Sequence, residues 1–195
     1  VDVAKKQDII TPELKKAGDT LVVFDLPKDE YDLPEYEGVM ALFDAVAGLI
    51  ADGVIVAAYA LDSKGIVASA AKMAFGNQLG VSFAETITAK ELFANKMGSL
   101  IAEVSADKLD ALATCGAAYR TVGTVLGEHE GFVYGGVTVP MGEALKAWTS
   151  KLEKVFPTKA VKGAEPVPSK LYDTKDVYVC RHKVAKPTVF IPVFP

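Results

Sequence analysis

The chain has 195 residues, of which 50% are hydrophobic and 24% charged, and its net charge is −4. This balance is typical of a globular protein with one sizeable core, and the negative charge argues against electrostatic binding to nucleic acid or to an anionic membrane surface. No apolar run approaches the roughly 18 residues that span a bilayer. The two cysteines, Cys115 and Cys180, are too few for a disulfide framework and fit a reducing compartment. We therefore expect a cytoplasmic protein with no nucleic-acid or membrane partner.

Apolar runs and apolar residues at helical spacing alternate through the first 156 residues. In chain order, the predicted elements are a strand at 21–26, a helix at 39–50, a strand at 54–59, an alanine-rich helix ending at 75–77, a strand at 80–83, a helical turn at 90–93, a strand at 99–104, a short helix at 105–112, a hairpin of 119–126 and 131–139, and a helix at 141–156. Because strands and helices are mixed and short turns join the later strands, the predicted fold class is α+β with a mixed or antiparallel sheet.

The sequence also predicts which residues begin or end two of the helices and where Trp148 lies. Asp32 or a neighbour is the expected cap of the first helix, and Gly53 is its expected left-handed stop. Ser105 is the expected cap of the short helix at 105–112. Trp148 falls on the apolar face of the last helix, which favours a core position or an interface between domains over a stacking platform.

The composition changes after Pro157. Residues 158–187 are rich in proline and lack an apolar period, which predicts an extended linker after a domain at 1–157. Residues 188–195 are apolar again and predict a strand. A finished protein would seldom end on so apolar an unpaired edge, so this segment is interpreted as the first strand of a further domain.

The turn Asp62-Ser63-Lys64-Gly65 connects a predicted strand to the start of a helix. This geometry binds phosphates, because free backbone N–H groups and the helix dipole face an anion there. Ser63 can cap the helix, and Gly65 permits a close backbone approach, while Asp62 can hold a cation and Lys64 can contact phosphate. The same residue types also suit an ordinary strand-to-helix connection, so both interpretations stay open.

The sequence gives little support to any other catalytic, nucleotide-binding or metal-binding site. The sequence has no Gly-x-Ser-x-Gly motif, no Walker loop and no dinucleotide fingerprint. Cys180-Arg181-His182 brings a thiol near an imidazole but supplies too few ligands for a metal. His129, between two glutamates, is interpreted as a solvated turn residue. We assign no catalytic residue and no metal ligand.

Four segments in order resemble one known family. They are ITPELKKAGDTLVVFDL, YALDSKGIVASAAKMAFGNQLGV, ELFANKMGSLIAEV and VPMGEALKAWTSKLEKVFPT. They are similar to the second AIR-synthase-type C-terminal subdomain of the phosphoribosylformylglycinamidine synthases. The trailing KPTVFIPVFP resembles the strand that opens the glutaminase domain of that family. The resemblance implies an AIR-synthase C-terminal-domain-like fold with helices packed on the sheet.

The resemblance also implies a function for the parent enzyme. That family amidates formylglycinamide ribonucleotide in purine biosynthesis, using ATP, magnesium and ammonia taken from glutamine. This chain would be a scaffold piece that is inactive alone. Its implied partners are the ATP-type synthetase domains and the glutaminase domain of the same chain, with self-association of the fragment as a further possibility.

Two loops depart from the family pattern. Where the family commonly has Asp-Arg-Ser-Asp-Gly-Gly, this chain has Ala60-Leu61 followed by the turn Asp62, Ser63, Lys64 and Gly65. Where the family often has Leu-Phe-Asn-Glu-Glu-Leu-Gly, residues 92–98 contain neither acid. Loss of anionic ligands weakens a magnesium site. The turn is therefore expected to be a degenerate nucleotide half-site, with no cofactor tightly bound to the fragment.

Two alternative functions stay open. The first is a stand-alone, non-catalytic interaction module that kept the fold, which the apolar segment 188–195 disfavours. The second is another ATP-dependent member of the AIR-synthase superfamily, such as a selenophosphate synthetase or a thiamine-phosphate kinase, which the glutaminase-like tail disfavours.

Overall fold

A computed structural model describes residues 5–157, 159, 186 and 188–192. The chain divides into two compact units, Val1–Thr158 and Lys159–Pro195. The helices of the first unit are α1 (Tyr36–Ala51), α2 (Gly65–Asn77), α3 (Ala89–Leu92) and α4 (Met141–Thr149), with short 3-10 helices at Lys6–Asp8, Ala106–Thr114 and Ser150–Leu152. Its strands are β1 (Thr20–Phe24), β2 (Ile55–Ala60), β3 (Leu79–Phe83), β4 (Leu100–Val104), β5 (Arg120–Glu128), β6 (Phe132–Tyr134) and β7 (Val137–Val139). Within the described ranges, no helix combines the length and the apolar character needed to cross a membrane.

The seven strands form one sheet in the order β2-β4-β1-β5-β3-β6-β7. Neighbouring strands are antiparallel except β3 and β6, which pair in parallel. Helices pack on both faces of this sheet. The predicted α+β class with a mixed sheet is therefore confirmed.

Two apolar clusters fill the two faces, as the period-two pattern of a strand requires. Leu21 and Val23 of β1 point into the cluster beneath α2, whereas Val22 and Phe24 point into the cluster beneath α1. α1 places Leu42, Val46 and Leu49 on the second cluster; these buried positions follow the predicted helical stripe. The helix ends at Ala51 with Asp52 as its C-cap, and Gly53 has φ +64°, which confirms the predicted left-handed stop.

The predicted hairpin of 119–126 and 131–139 is wrong. β3 lies between β5 and β6, and its Val81 N–H donates to the Gly131 carbonyl at 2.8 Å. Gly80 makes this insertion possible, because a Cβ there would lie 2.6 Å from that carbonyl oxygen. The real hairpin joins β6 and β7 through Gly135 and Gly136, which both have positive φ, as a two-residue hairpin turn of type I′ requires.

The last helix is shorter than predicted. α4 ends at Thr149, whose hydroxyl donates to the Leu145 carbonyl at 3.0 Å, and a 3-10 turn follows. Such a bond between a threonine side chain and the preceding turn competes with regular helix. Trp148 is not a core residue, because 55% of its surface is exposed and only one ring face stacks on Phe75, at 5.3 Å between centroids. Its place in an interface between domains stays a prediction.

One predicted helix cap is wrong, and another is confirmed in position only. Asp32 has φ 64 in the loop before α1, and the N-cap position belongs to Glu35, which makes no capping bond. Ser105 occupies the N-cap position of Ala106–Thr114, as predicted, but its side chain makes no capping hydrogen bond. The short helix α3, by contrast, has a capping box between Thr88 and Glu91, the Thr-x-x-Glu pattern that marks helix starts.

Glu103 of β4 is a fully buried carboxylate that holds the segment before β1. Its two oxygens accept hydrogen bonds from the backbone N–H of Lys15 at 3.0 and 2.8 Å and of Lys16 at 3.0 Å. Burial raises the pKa of Glu103 to about 7, with the Asp19 carboxylate contributing, although the backbone bonds act in the opposite direction. A hydrogen-bond acceptor is therefore needed at this buried position, because an apolar side chain would leave the Lys15 and Lys16 N–H groups without a partner.

The predicted linker at 158–187 lies almost entirely outside the described residues, as does Cys180-Arg181-His182. Residues 188–192 are exposed and are assigned to no strand, although Val189, Phe190 and Ile191 are apolar. The division into a domain, a linker and a first strand of a further domain stays a prediction.

Candidate functional site

The turn at Asp62 and a second polar loop lie at the same end of the central strands, which we call the site edge of the sheet. β1 and β2 both run antiparallel to β4, and β1 also runs antiparallel to β5. The C-terminal ends of β1 and β2 therefore meet the N-terminal ends of β4 and β5. This edge brings together Asp25, Asp62, the loop 92–98 and Arg120. The parts of this candidate site come from four separate segments.

The Asp62 carboxylate is held from both sides. Oδ1 accepts the Lys64 backbone N–H at 2.7 Å, and Oδ2 accepts the Lys72 Nζ at 2.8 Å. Lys72 lies two turns into α2, and its ammonium also lies 5.4 Å from the centroid of the Tyr59 ring. The Lys72 hydrogen bond, followed by the Lys64 N–H, lowers the pKa of Asp62, and Asp62 in turn raises the pKa of Lys72.

The remaining turn residues are placed differently from the expectation. The N-cap of α2 is Lys64 and makes no side-chain cap, so the predicted Ser63 cap is wrong. Gly65 has φ +79 and does permit a close approach, but the backbone of 92–94 occupies the space. A Cβ at Gly65 would lie 2.7 Å from both the Leu92 and the Ala94 carbonyl oxygens. Carbonyl oxygens repel an anion, so phosphate does not fit beside Gly65 in this arrangement.

The second loop adds a network of ion pairs at the same edge. Asp25 accepts Lys96 Nζ on Oδ1 at 2.5 Å and Arg120 Nε on Oδ2 at 3.1 Å. Arg120 also reaches Glu91 Oε1 through Nη1 at 3.3 Å. The other Glu91 oxygen accepts the backbone N–H and the hydroxyl of Thr88, and these bonds lower the pKa of Glu91.

The three carboxylates do not fit a magnesium site as they stand. Magnesium takes anionic oxygens in octahedral geometry and gives up its waters reluctantly. Each oxygen of Asp25, Asp62 and Glu91 already accepts a donor from a lysine, an arginine, a threonine or the backbone. Over the part of the chain that the structure describes, no group of three or more potential ligands is arranged to hold a metal ion.

The remaining candidates lie away from this edge. His129 is exposed in a turn with φ 64, which confirms the interpretation of a solvated turn residue. Cys115 is a half-buried free thiol whose Sγ lies 3.5 Å from the Ala117 carbonyl oxygen. Neither residue contributes to the ion network.

Sequence reasoning missed Lys72, Asp25 and Arg120 as members of this site. Asp25 and Arg120 are 95 residues apart in the chain and meet only because β1 pairs with β5. Lys72 is ten residues from Asp62 and lies within an alanine-rich helix. A single lysine inside such a helix carries no signal of its own.

Comparisons with known proteins give structural matches only. No protein-family model matches the chain, and no curated protein matches it in sequence. The phosphoribosylformylglycinamidine synthase II of Thermotoga maritima aligns with a TM-score of 0.59 at 14% identity. The same organism's PurL complexed with AMPPCP aligns with a TM-score of 0.60 at 15% identity, and PurLQS with 0.56 at 14%. Each alignment covers 90% of this chain and 32% of the other.

The chain therefore spans about a third of the length of the solved structures that it matches. T. maritima PurL was solved in complex with ATP and with AMPPCP. At this level of identity, the comparison establishes the fold. The predicted AIR-synthase-type architecture is confirmed, and the chain has the fold of a PurL segment.

Proposed function

We propose that this chain is a scaffold segment of a phosphoribosylformylglycinamidine synthase, the ATP- and glutamine-dependent enzyme that amidates formylglycinamide ribonucleotide. The proposal places it in the cytoplasm beside ATP-type synthetase domains and a glutaminase domain. It is inactive alone, because the segment contributes a degenerate nucleotide half-site. ATP and magnesium act elsewhere in the whole enzyme.

The observation that supports the proposal is that lysine side chains already bind the carboxylates of Asp62 and Asp25 at the site edge of the sheet. Lys72 and Lys96 put ammonium groups on Asp62 and Asp25, at 2.8 and 2.5 Å. Lys96 falls in the loop where the resembling family often has acids. A lysine ammonium there supplies the positive charge that a divalent cation would otherwise bring, and the fold keeps its shape without nucleotide.

An interaction module is the second candidate, because several large apolar side chains are exposed. Tyr36 and Met40 of α1 and Phe93 after α3 are each more than half exposed. Monomeric proteins seldom expose contiguous apolar patches of large size. Other domains of a parent enzyme would cover the same residues, so this observation does not by itself favour a stand-alone module over a segment.

The coding sequence around this chain tests the proposal. We expect it to continue past Pro195 into Gly-Thr-Asn-Cys and a glutaminase domain. We also expect the purified 195-residue chain to show no amidation of formylglycinamide ribonucleotide with ATP and glutamine. A stop codon directly after Pro195 would contradict the synthase and favour the interaction module, and turnover by the chain alone would contradict the scaffold role.

A further inference from the structure

A basic groove runs along the outer side of α2. It has a volume of about 510 Å³, with Ala68 and Ala71 as its floor. Phe93 and Trp148 form walls and are both more than half exposed, and Lys64 and Lys151 contribute exposed ammonium groups to its rim. The small floor residues allow another backbone to come close, and the aromatic walls offer apolar surface. The groove therefore suits an elongated apolar partner that carries negative charge.

An acidic helix face lies on the outer side of α1. Tyr36, Met40 and Phe43 follow one another at positions i, i+4 and i+7, and they are 82%, 61% and 43% exposed. Glu37 and Asp44 flank this row on one side, and α1 contains no lysine or arginine. Three apolar anchors at this spacing are the pattern by which an amphipathic helix enters a groove.

The two surfaces lie on opposite faces of the sheet. α1 packs on the cluster that contains Val22 and Phe24, whereas α2 packs on the cluster that contains Leu21 and Val23. A chain therefore cannot fill its own groove with its own α1. Two copies can, because the groove of one copy is open to the helix face of the next.

We propose that the acidic helix face of one copy of this chain docks in the basic groove of a second copy. Glu37 and Asp44 then approach Lys64 and Lys151, while the apolar row of α1 buries its surface against the aromatic walls of the groove. Charge complementarity and the shared aromatic character select this partner. Because the two surfaces differ, the contact is heterologous, and assembly grows head to tail unless it closes into a ring. The inference goes beyond the proposed function and concerns this chain free in solution, because other domains of the proposed parent enzyme would cover Tyr36, Met40 and Phe93.

Sedimentation velocity at low ionic strength tests this contact with two double variants. Lys64→Glu with Lys151→Glu disables the groove, and Glu37→Lys with Asp44→Lys disables the helix face. We expect the unaltered chain to form oligomers that grow with concentration, and each double variant to associate at least roughly tenfold more weakly. An equimolar mixture of the two variants should assemble again, because the intact helix face meets the intact groove and the two charge-reversed surfaces are again opposite in sign.

The control is Glu85→Lys with Glu128→Lys, which changes the net charge as much as the helix-face variant does but at exposed residues outside both surfaces. This control should assemble like the unaltered chain, and far-ultraviolet circular dichroism confirms that all variants are folded. A monomeric unaltered chain would overturn the proposal. So would oligomers that persist in either double variant, or a mixture of the two variants that stays monomeric.

Discussion

Replacing Gly65 with alanine is expected to lower the free energy of unfolding by about 3 kcal/mol. Gly65 has φ +79, a conformation that strains any residue with a Cβ. The added Cβ would also lie 2.7 Å from the carbonyl oxygens of Leu92 and Ala94 and 2.9 Å from the Phe93 carbonyl carbon. Because these are backbone atoms, the overlap cannot be relieved by turning a flexible side chain. The turn or the loop must move.

Urea unfolding measures this loss, and Gly48→Ala provides a matched control. Gly48 lies inside α1, where an added Cβ would have no neighbouring atom within 4 Å and where φ is not positive. Alanine there should stabilise the chain by about 0.5–1 kcal/mol through helix propensity. If Gly65→Ala proves as stable as the unaltered chain, the close packing of 92–94 on the turn is wrong.

Replacing Glu103 with glutamine is expected to change how stability depends on pH. In the unfolded chain this carboxyl group has its ordinary pKa of 4.5, whereas burial raises its folded pKa to about 7. As pH rises from 4.5 to 7, the unfolded chain releases a proton that the folded chain retains, so the stability contributed by Glu103 is lost over this window. The loss amounts to about 3 kcal/mol. A glutamine side chain does not titrate, so the variant does not undergo this loss of stability.

The measurement is the difference in unfolding free energy between the unaltered chain and Glu103→Gln, followed from about pH 4 to about pH 8. Relative to the variant, the unaltered chain should lose about 3 kcal/mol as pH rises. A constant offset is also expected, because an amide nitrogen cannot accept the Lys15 N–H. Glu85→Gln, at an exposed position, is the control. A pH-independent difference for Glu103→Gln would mean that the carboxylate is solvated.

Features encoded by local patterns can be predicted from the sequence. The apolar stripe of α1, the stop at Gly53 and the buried strand β1 each depend on neighbours within a few residues, and each is found where expected. The Asp62 turn likewise lies between a strand and a helix, as predicted. These elements need no knowledge of distant contacts.

Features that depend on strand order cannot be predicted in this way. The alternating segments on either side of His129 resemble a hairpin in sequence, because nothing local signals that β3 inserts between them. Glu103 has no local mark of burial, since its role depends on Lys15 and Lys16, which are 88 and 87 residues away. The ion pairs of Asp25 and Asp62 require the tertiary fold for the same reason.

Calorimetric titration with ADP and magnesium tests most directly whether the Asp62 turn is a degenerate half-site. The titration should be made on this chain and on the chain joined to its ATP-type partner domain. Because Lys72 and Lys64 occupy both Asp62 oxygens and the backbone of 92–94 fills the space beside Gly65, we expect no binding at micromolar concentrations in either case. Micromolar, magnesium-dependent binding that Asp62→Asn abolishes would contradict this and restore the turn as a functional nucleotide site.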